Sequence, residues 1–194
     1  MARPVTWGIL STADINRKLI PGAHASPKVD LVAVASRDAA RAEAYAREWE
    51  ISRAYGSYEA LLADPEIEAV YISLPNTLHC EWSIRALEAG KHVLCEKPLS
   101  RHVAEVEAAF DAAERMGRLL SEAFMYRHNP QTLRLQQLVE EGAIGELRLV
   151  RSATSNAFST SSGCRVNGFS QSTCFPASNA RIDHSTCIVF GSEM

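Results

Sequence analysis

Val5-Thr6-Trp7-Gly8-Ile9-Leu10, running directly into Ser11-Thr12-Ala13-Asp14, decides the fold. A continuous apolar, β-prone run without alternation marks a strand covered on both faces, as in a parallel sheet. Working outward, the same kind of run recurs at Val29 to Ala35, at Ala69 to Leu74 and at His92 to Cys95. Between these runs lie stretches with helical spacing or strong helix formers: Ile15 to Ala23, Ala39 to Trp49, Tyr58 to Ala63, Leu78 to Ala89 and His102 to Met116. Pro21 is expected to kink or end the first of them. Ser57 reads as an N-cap, Tyr55-Gly56-Ser57 as a turn, and Gly90 as the residue closing a helix. Leu119 to Phe124 reads as a further strand, Asn129-Pro130 as the start of a helix ending at Gly142, and Gly145 to Val150 as the start of one more strand. Strands alternating with helices imply βαβ crossovers and a doubly wound parallel sheet of Rossmann type.

Bulk properties narrow the class. The chain has 194 residues, 46% hydrophobic and 22% charged, enough for one well-buried domain and a fragment of another. A net charge of -3 gives no basic excess for nucleic acid or an anionic membrane. No apolar run approaches the roughly 18 to 20 residues that span a bilayer, so a cytoplasmic protein is expected. The five cysteines show neither a CxxC pair nor zinc-site spacing and read as reduced, structural thiols. Beyond Ser155 the composition shifts toward serine and threonine, charges become sparse, and little regular structure is expected. The expected organisation is a dinucleotide-binding domain over 1–124, a crossover and start of a second α/β domain over 125–155, and an atypical tail over 156–194.

In a doubly wound sheet, ligands gather at the carboxyl ends of the strands. At the first such end, the glycine positions of a G-x-G-x-x-G turn read Ser11, Ala13 and Asn16. Small residues still permit close backbone approach to a phosphate, and the Ser11 and Thr12 hydroxyls could donate; an ordinary tight turn would look the same. At the second end, Ser36-Arg37 stands where an acid would bind an adenosine ribose, and Asp38 comes one place late. A hydroxyl with a guanidinium suits a 2′-phosphate and favours NADP over NAD. At the third, Pro75-Asn76-Thr77-Leu78-His79 opens a helix, and Asn76 and His79 are either ligand contacts or a cap and a first-turn surface residue. At the fourth, Glu96-Lys97-Pro98 places an ionisable pair beside a proline. Lys97 there is a candidate acid/base, and its bland alternative is a surface lysine paired with Glu96.

Together, Trp7 to Ala13, Ala35-Ser36-Arg37-Asp38, Pro75 to His79 and Glu96-Lys97-Pro98 resemble the glucose-fructose oxidoreductase, inositol dehydrogenase and MocA family. Within it they resemble the branch of NADP-dependent dihydrodiol and D-xylose dehydrogenases, over about Val5 to Thr154. The resemblance implies a Rossmann domain followed by an α/β domain that covers the nicotinamide, often in a homo-oligomer. It further implies that Ser11, Thr12, Ala13 and Ile15 meet the pyrophosphate and that Ser36 and Arg37 meet the adenosine end. Leu74, Pro75, Asn76 and His79 would lie on the nicotinamide side, with Glu96 on ribose and Lys97 as the catalytic lysine, before a proline that could be cis. The reaction implied is hydride transfer between nicotinamide and a sugar or diol hydroxyl carbon. The family's long second domain is not found here, and the change near Asn156 reads as a truncated or frame-shifted end. The alternative is a dinucleotide-binding module without catalysis.

Overall fold

In the computed structural model, residues 3–147 are described, together with the backbone of four two-residue strands at 149–150, 152–153, 175–176 and 187–188. The chain divides into two units, Met1–Ala123 and Phe124–Met194. The first contains β1 (Val5–Leu10), β2 (Val29–Ala35), β3 (Arg53–Tyr55), β4 (Ala69–Ile72), β5 (His92–Cys95) and β6 (Leu120–Glu122). These form one six-stranded sheet in the order β3-β2-β1-β4-β5-β6, every neighbouring pair parallel. The order reverses between β1 and β4, which opens a crevice beyond their carboxyl ends.

Each of the first five strands feeds a helix: α1 (Asn16–Ala25), α2 (Ala39–Glu48), α3 (Tyr58–Leu62), α4 (His79–Glu88) and α5 (Val103–Met116). Alternate strand residues serve the two faces. Ile9, Val34 and Tyr71 pack with Ile20 of α1 and with Tyr45 and Ala46 of α2. Leu10, Ala33, Val70 and Ile72 pack with Leu61 of α3, Leu87 of α4 and Ala109 and Ala112 of α5. This double coverage is why the central strands read as unbroken apolar runs. Gly8 admits α3 against the sheet, because a Cβ at that position would stand 2.9 Å from Leu61 Cδ2.

Local signals set the element ends. Ser57 Oγ accepts from the Ala60 amide at 3.1 Å, capping α3. Asp38 caps α2 by accepting from the Arg41 amide at 3.2 Å. Gly117, with φ of 60°, ends α5 in the left-handed conformation. Two expectations are corrected. Pro21 does not end helix α1, which runs on to Ala25; the proline is exposed, so a backbone group left without its helical partner can turn to water. The segment before Tyr55-Gly56 is a three-residue strand, too short for periodicity to show, paired from Arg53 to Tyr55 alongside Ala33 to Ala35.

In the second unit, α6 (Pro130–Glu140) starts as its Asn-Pro signal requires, with Asn129 Oδ1 accepting from the Gln131 amide at 2.9 Å. Two antiparallel pairs follow: β7 (Leu149–Val150) with β9 (Phe175–Pro176), and β8 (Ser152–Ala153) with β10 (Cys187–Ile188). The remainder of the 156–194 tail, including Cys164 and Cys174, lies outside the described residues.

Candidate active site at the carboxyl ends of the strands

The turn after β1 is held by the residue that replaces its expected glycine. Ser11 has φ of 122°, a conformation that favours glycine. Its amide donates to the Ala35 carbonyl at 3.1 Å. Its hydroxyl donates to the Ser73 carbonyl at 3.1 Å, bonds the Ser73 hydroxyl at 2.8 Å and accepts from the Ala13 amide at 3.2 Å. Ser11 therefore stitches together the ends of β1, β2 and β4 and fills its hydrogen-bonding capacity within the protein. Buried Asn16 adds a bond from Nδ2 to the Ser11 carbonyl at 3.0 Å. Thr12, Ala13 and Ile15 stay partly exposed, and Ile15, the N-cap of α1, makes no side-chain cap bond. An uncapped helix start behind a tight turn suits an anion approached by backbone, while the Ser11 hydroxyl is already engaged.

Beyond β2, Ser36 is buried, and its hydroxyl accepts from the Asp38 amide at 3.3 Å. The Asp38 carboxylate is committed to the α2 cap. Arg37 is exposed and forms no ion pair among the described residues, and the same holds for Arg41 one turn later. The end of β2 thus offers an unneutralised guanidinium and no free carboxylate directed at a ribose.

Beyond β4 and β5 the chain makes two turns that are bound to each other. Leu74 is buried, Pro75 is exposed, and the short 3-10 turn Asn76–Leu78, with Asn76 and Thr77 exposed, leads into α4. Tyr71 donates to Glu96 Oε1 at 2.6 Å, and burial together with that carboxylate pushes its phenol far above the ordinary range. Glu96 Oε2 accepts from the Lys97 amide at 3.3 Å. The Lys97–Pro98 peptide is cis. The Leu99 amide donates to Glu122 Oε1 on β6 at 2.7 Å. Lys97 itself is exposed and has no ion pair among the described residues, Glu96 included. A cleft of about 490 Å³ runs beside this turn, lined by Pro75, Asn76 and Thr77 from one loop and by Pro98, Ser100 and Arg101 from the other.

The strand-end residues singled out in the sequence all fall on this one edge of the sheet. His79 is buried, as are Ser11, Ser36 and Leu74, and each of its ring nitrogens lies 2.7 Å from a backbone carbonyl oxygen. Sequence reasoning passed over Tyr71, Ser73 and Glu122, which fix Glu96, Ser11 and the Lys97 turn. The available signal was a polar group closing an apolar strand, since a buried hydroxyl or carboxylate needs a partner.

Residues 5–124 match the family described as oxidoreductases with an NAD-binding Rossmann fold, Gfo/Idh/MocA. The chain is 51% identical over 148 residues to an uncharacterized oxidoreductase of Rhizobium meliloti, covering 76% of this chain and 44% of that protein. It is 52% identical over 151 residues to an NADP(+) D-xylose 1-dehydrogenase of Haloferax volcanii, covering 77% of this chain and 45% of that one. A solved 3-ketoreductase from Actinomadura kijaniata, in complex with TDP-benzene and NADP, superposes with a TM-score of 0.72 at 40% identity, over 78% of this chain and 48% of that one. The chain thus spans about half the length of the relatives it matches. With the family model matching residues 5–124, the span that holds the six-stranded sheet and the strand ends from Ser11 to Lys97, the chain belongs to the Gfo/Idh/MocA oxidoreductase family.

Proposed function

We propose that this chain is the cofactor-binding part of an NADP-dependent oxidoreductase acting on a hydroxyl carbon of a sugar or diol. Lys97 carries the proposal. It is an exposed lysine, without an ion pair among the described residues, on a turn held from β4 and β6 at the edge of a strand-end crevice. A structural surface lysine would not need its neighbours fixed in this way. The residues present fit a nicotinamide dinucleotide. The turn from Ser11 to Ile15 would receive the pyrophosphate by backbone, Ser36 and Arg37 the 2′-phosphate, and Leu74, Pro75, Asn76 and Glu96 the nicotinamide ribose side. Bound there, the nicotinamide would supply the hydride acceptor or donor. Lys97 Nζ takes the hydroxyl proton during oxidation and returns it to the carbonyl oxygen during reduction.

Arg37 decides between the two dinucleotides. Titration of the purified chain is expected to show tighter binding of NADPH than of NADH. Arg37→Ala should weaken NADPH by about tenfold or more, the scale of one charge-assisted phosphate contact, and leave NADH nearly unchanged. Equal affinities in the wild-type chain would remove the case for NADP.

A second reading is a dinucleotide-binding module without catalysis, and the family model that matches residues 5–124 describes an NAD-binding Rossmann fold. Steady-state assays with D-xylose and other aldoses separate the two. Turnover that falls at least about a hundredfold in Lys97→Ala supports the enzyme. Tight NADPH binding with no lysine-dependent turnover supports the module. No helix among the described residues is long and apolar enough to cross a membrane. A cytoplasmic location is proposed with the function, in keeping with the free, buried Cys80 and Cys95 thiols.

A further inference from the structure

The backbone around Lys97 has few anchors of its own. Glu96 donates its amide to the Ile72 carbonyl at 2.8 Å, and Lys97 donates only to the neighbouring Glu96 carboxylate. Pro98 has no N–H, so its carbonyl is the one backbone group through which that residue can be tied. That carbonyl lies 2.7 Å from His79 Nδ1. The other ring nitrogen, Nε2, lies 2.7 Å from the Leu74 carbonyl, at the start of the loop after β4. Only 1% of His79 is exposed, so its ring is placed to touch protein rather than ligand.

The two loops that the ring joins, Pro75 to Thr77 and Pro98 to His102, both line one cleft, which Pro98 enters directly after Lys97 in the chain. An alkyl or phenyl group could fill the same volume, but it could not join the loops. We propose that His79 is a positioning residue: set between the Leu74 and Pro98 carbonyls, its ring donates to one of them in a neutral tautomer and to both when doubly protonated, and so fixes the Lys97 turn against the end of β4 without itself contacting cofactor or substrate. The proposal rests on the assignment of this edge as a dinucleotide site. It adds a residue that acts only at the nicotinamide end of that site.

The test uses two probes that share the adenosine end and differ at the other. NADPH reaches the Lys97 turn, whereas 2′,5′-ADP stops at the end of β2. Calorimetric titration of the wild-type chain, His79→Phe and His79→Asn with both probes reads the two ends separately. In His79→Phe, NADPH is expected to bind about tenfold more weakly, the scale of a lost buried hydrogen bond, while 2′,5′-ADP stays within about twofold. His79→Asn, smaller and still able to donate to one carbonyl, should show a smaller loss with the same selectivity, and it is the variant to read if His79→Phe does not fold. Parallel losses of both probes would make His79 an ordinary core residue and overturn the proposal, as would unchanged NADPH affinity in both variants. Failure of the wild-type chain to bind either probe would instead overturn the dinucleotide assignment, and the role of His79 with it.

Discussion

Ser11 shows how a worn motif can keep its geometry. The residue is not glycine, yet its φ of 122° is one that glycine adopts freely. The three bonds of its hydroxyl to Ser73 and Ala13 offset the strain. Ser11→Ala, which keeps the strain and loses those bonds, should destabilise the chain by about 1–2 kcal/mol in urea unfolding. Ser11→Gly, which loses the bonds and relieves the strain, should cost less. Equal costs would mean that the conformation carries no penalty here. The sequence exposed the small residues of this turn but not the partner, because Ser73 lies far along the chain and only the sheet brings it alongside. Cys95 makes a second prediction at this scale. Burial pushes its thiol up from 9.0 to about 12, so the folded chain holds a proton that the unfolded chain releases. The stability from this group is complete below about pH 9 and is lost as pH rises from there toward 12. Tyr71, raised from 10.0 by burial and by Glu96, acts in the same direction from about pH 10 upward. Urea unfolding free energy should therefore fall steadily above pH 9, and Cys95→Ala should flatten the first part of that fall.

At the scale of elements, the strands with two covered faces were legible because double burial writes itself as an unbroken apolar run. Where that pressure is weaker the signal fades, as at β3, whose three residues are only partly buried and whose Arg53 and Tyr55 bond to Asp64 at 2.7 and 2.6 Å. Helix α1 taught the opposite lesson. A proline on an exposed face costs one hydrogen bond that water can replace, so the pattern around it prevailed. The turn carrying Lys97 was visible as Glu-Lys-Pro, but its supports were not, since they come from β4, α4 and β6. Glu122 is the support that follows the turn in sequence, 23 residues beyond the Leu99 amide that it binds. Glu122→Ala should free the Leu99 amide and speed its hydrogen exchange by about tenfold or more, while Glu122→Gln, which retains an acceptor, should change it little. Unchanged protection in the alanine variant would show that the turn holds itself.

For the whole molecule, the relevant fact is how far the core reaches among the described residues. Both hydrophobic clusters are built from residues up to Ala123, with the helices of the first unit closing both faces of its sheet. The family match covers nearly the same span, 5–124. The strand-end residues proposed to bind the dinucleotide, from Ser11 to Lys97, also fall inside it. A chain ending at Phe124 should therefore unfold in a single cooperative transition and bind NADPH within about twofold of the 194-residue chain. Catalysis asks for more than binding, because a substrate must be oriented beside Lys97 and not merely admitted to the cleft. The decisive comparison is accordingly between NADPH affinity and lysine-dependent turnover in the two lengths. Equal affinity with turnover only in the longer chain would assign substrate orientation to residues after Phe124. Loss of affinity on shortening would show that the cofactor site itself extends beyond the sheet that the sequence announced so clearly.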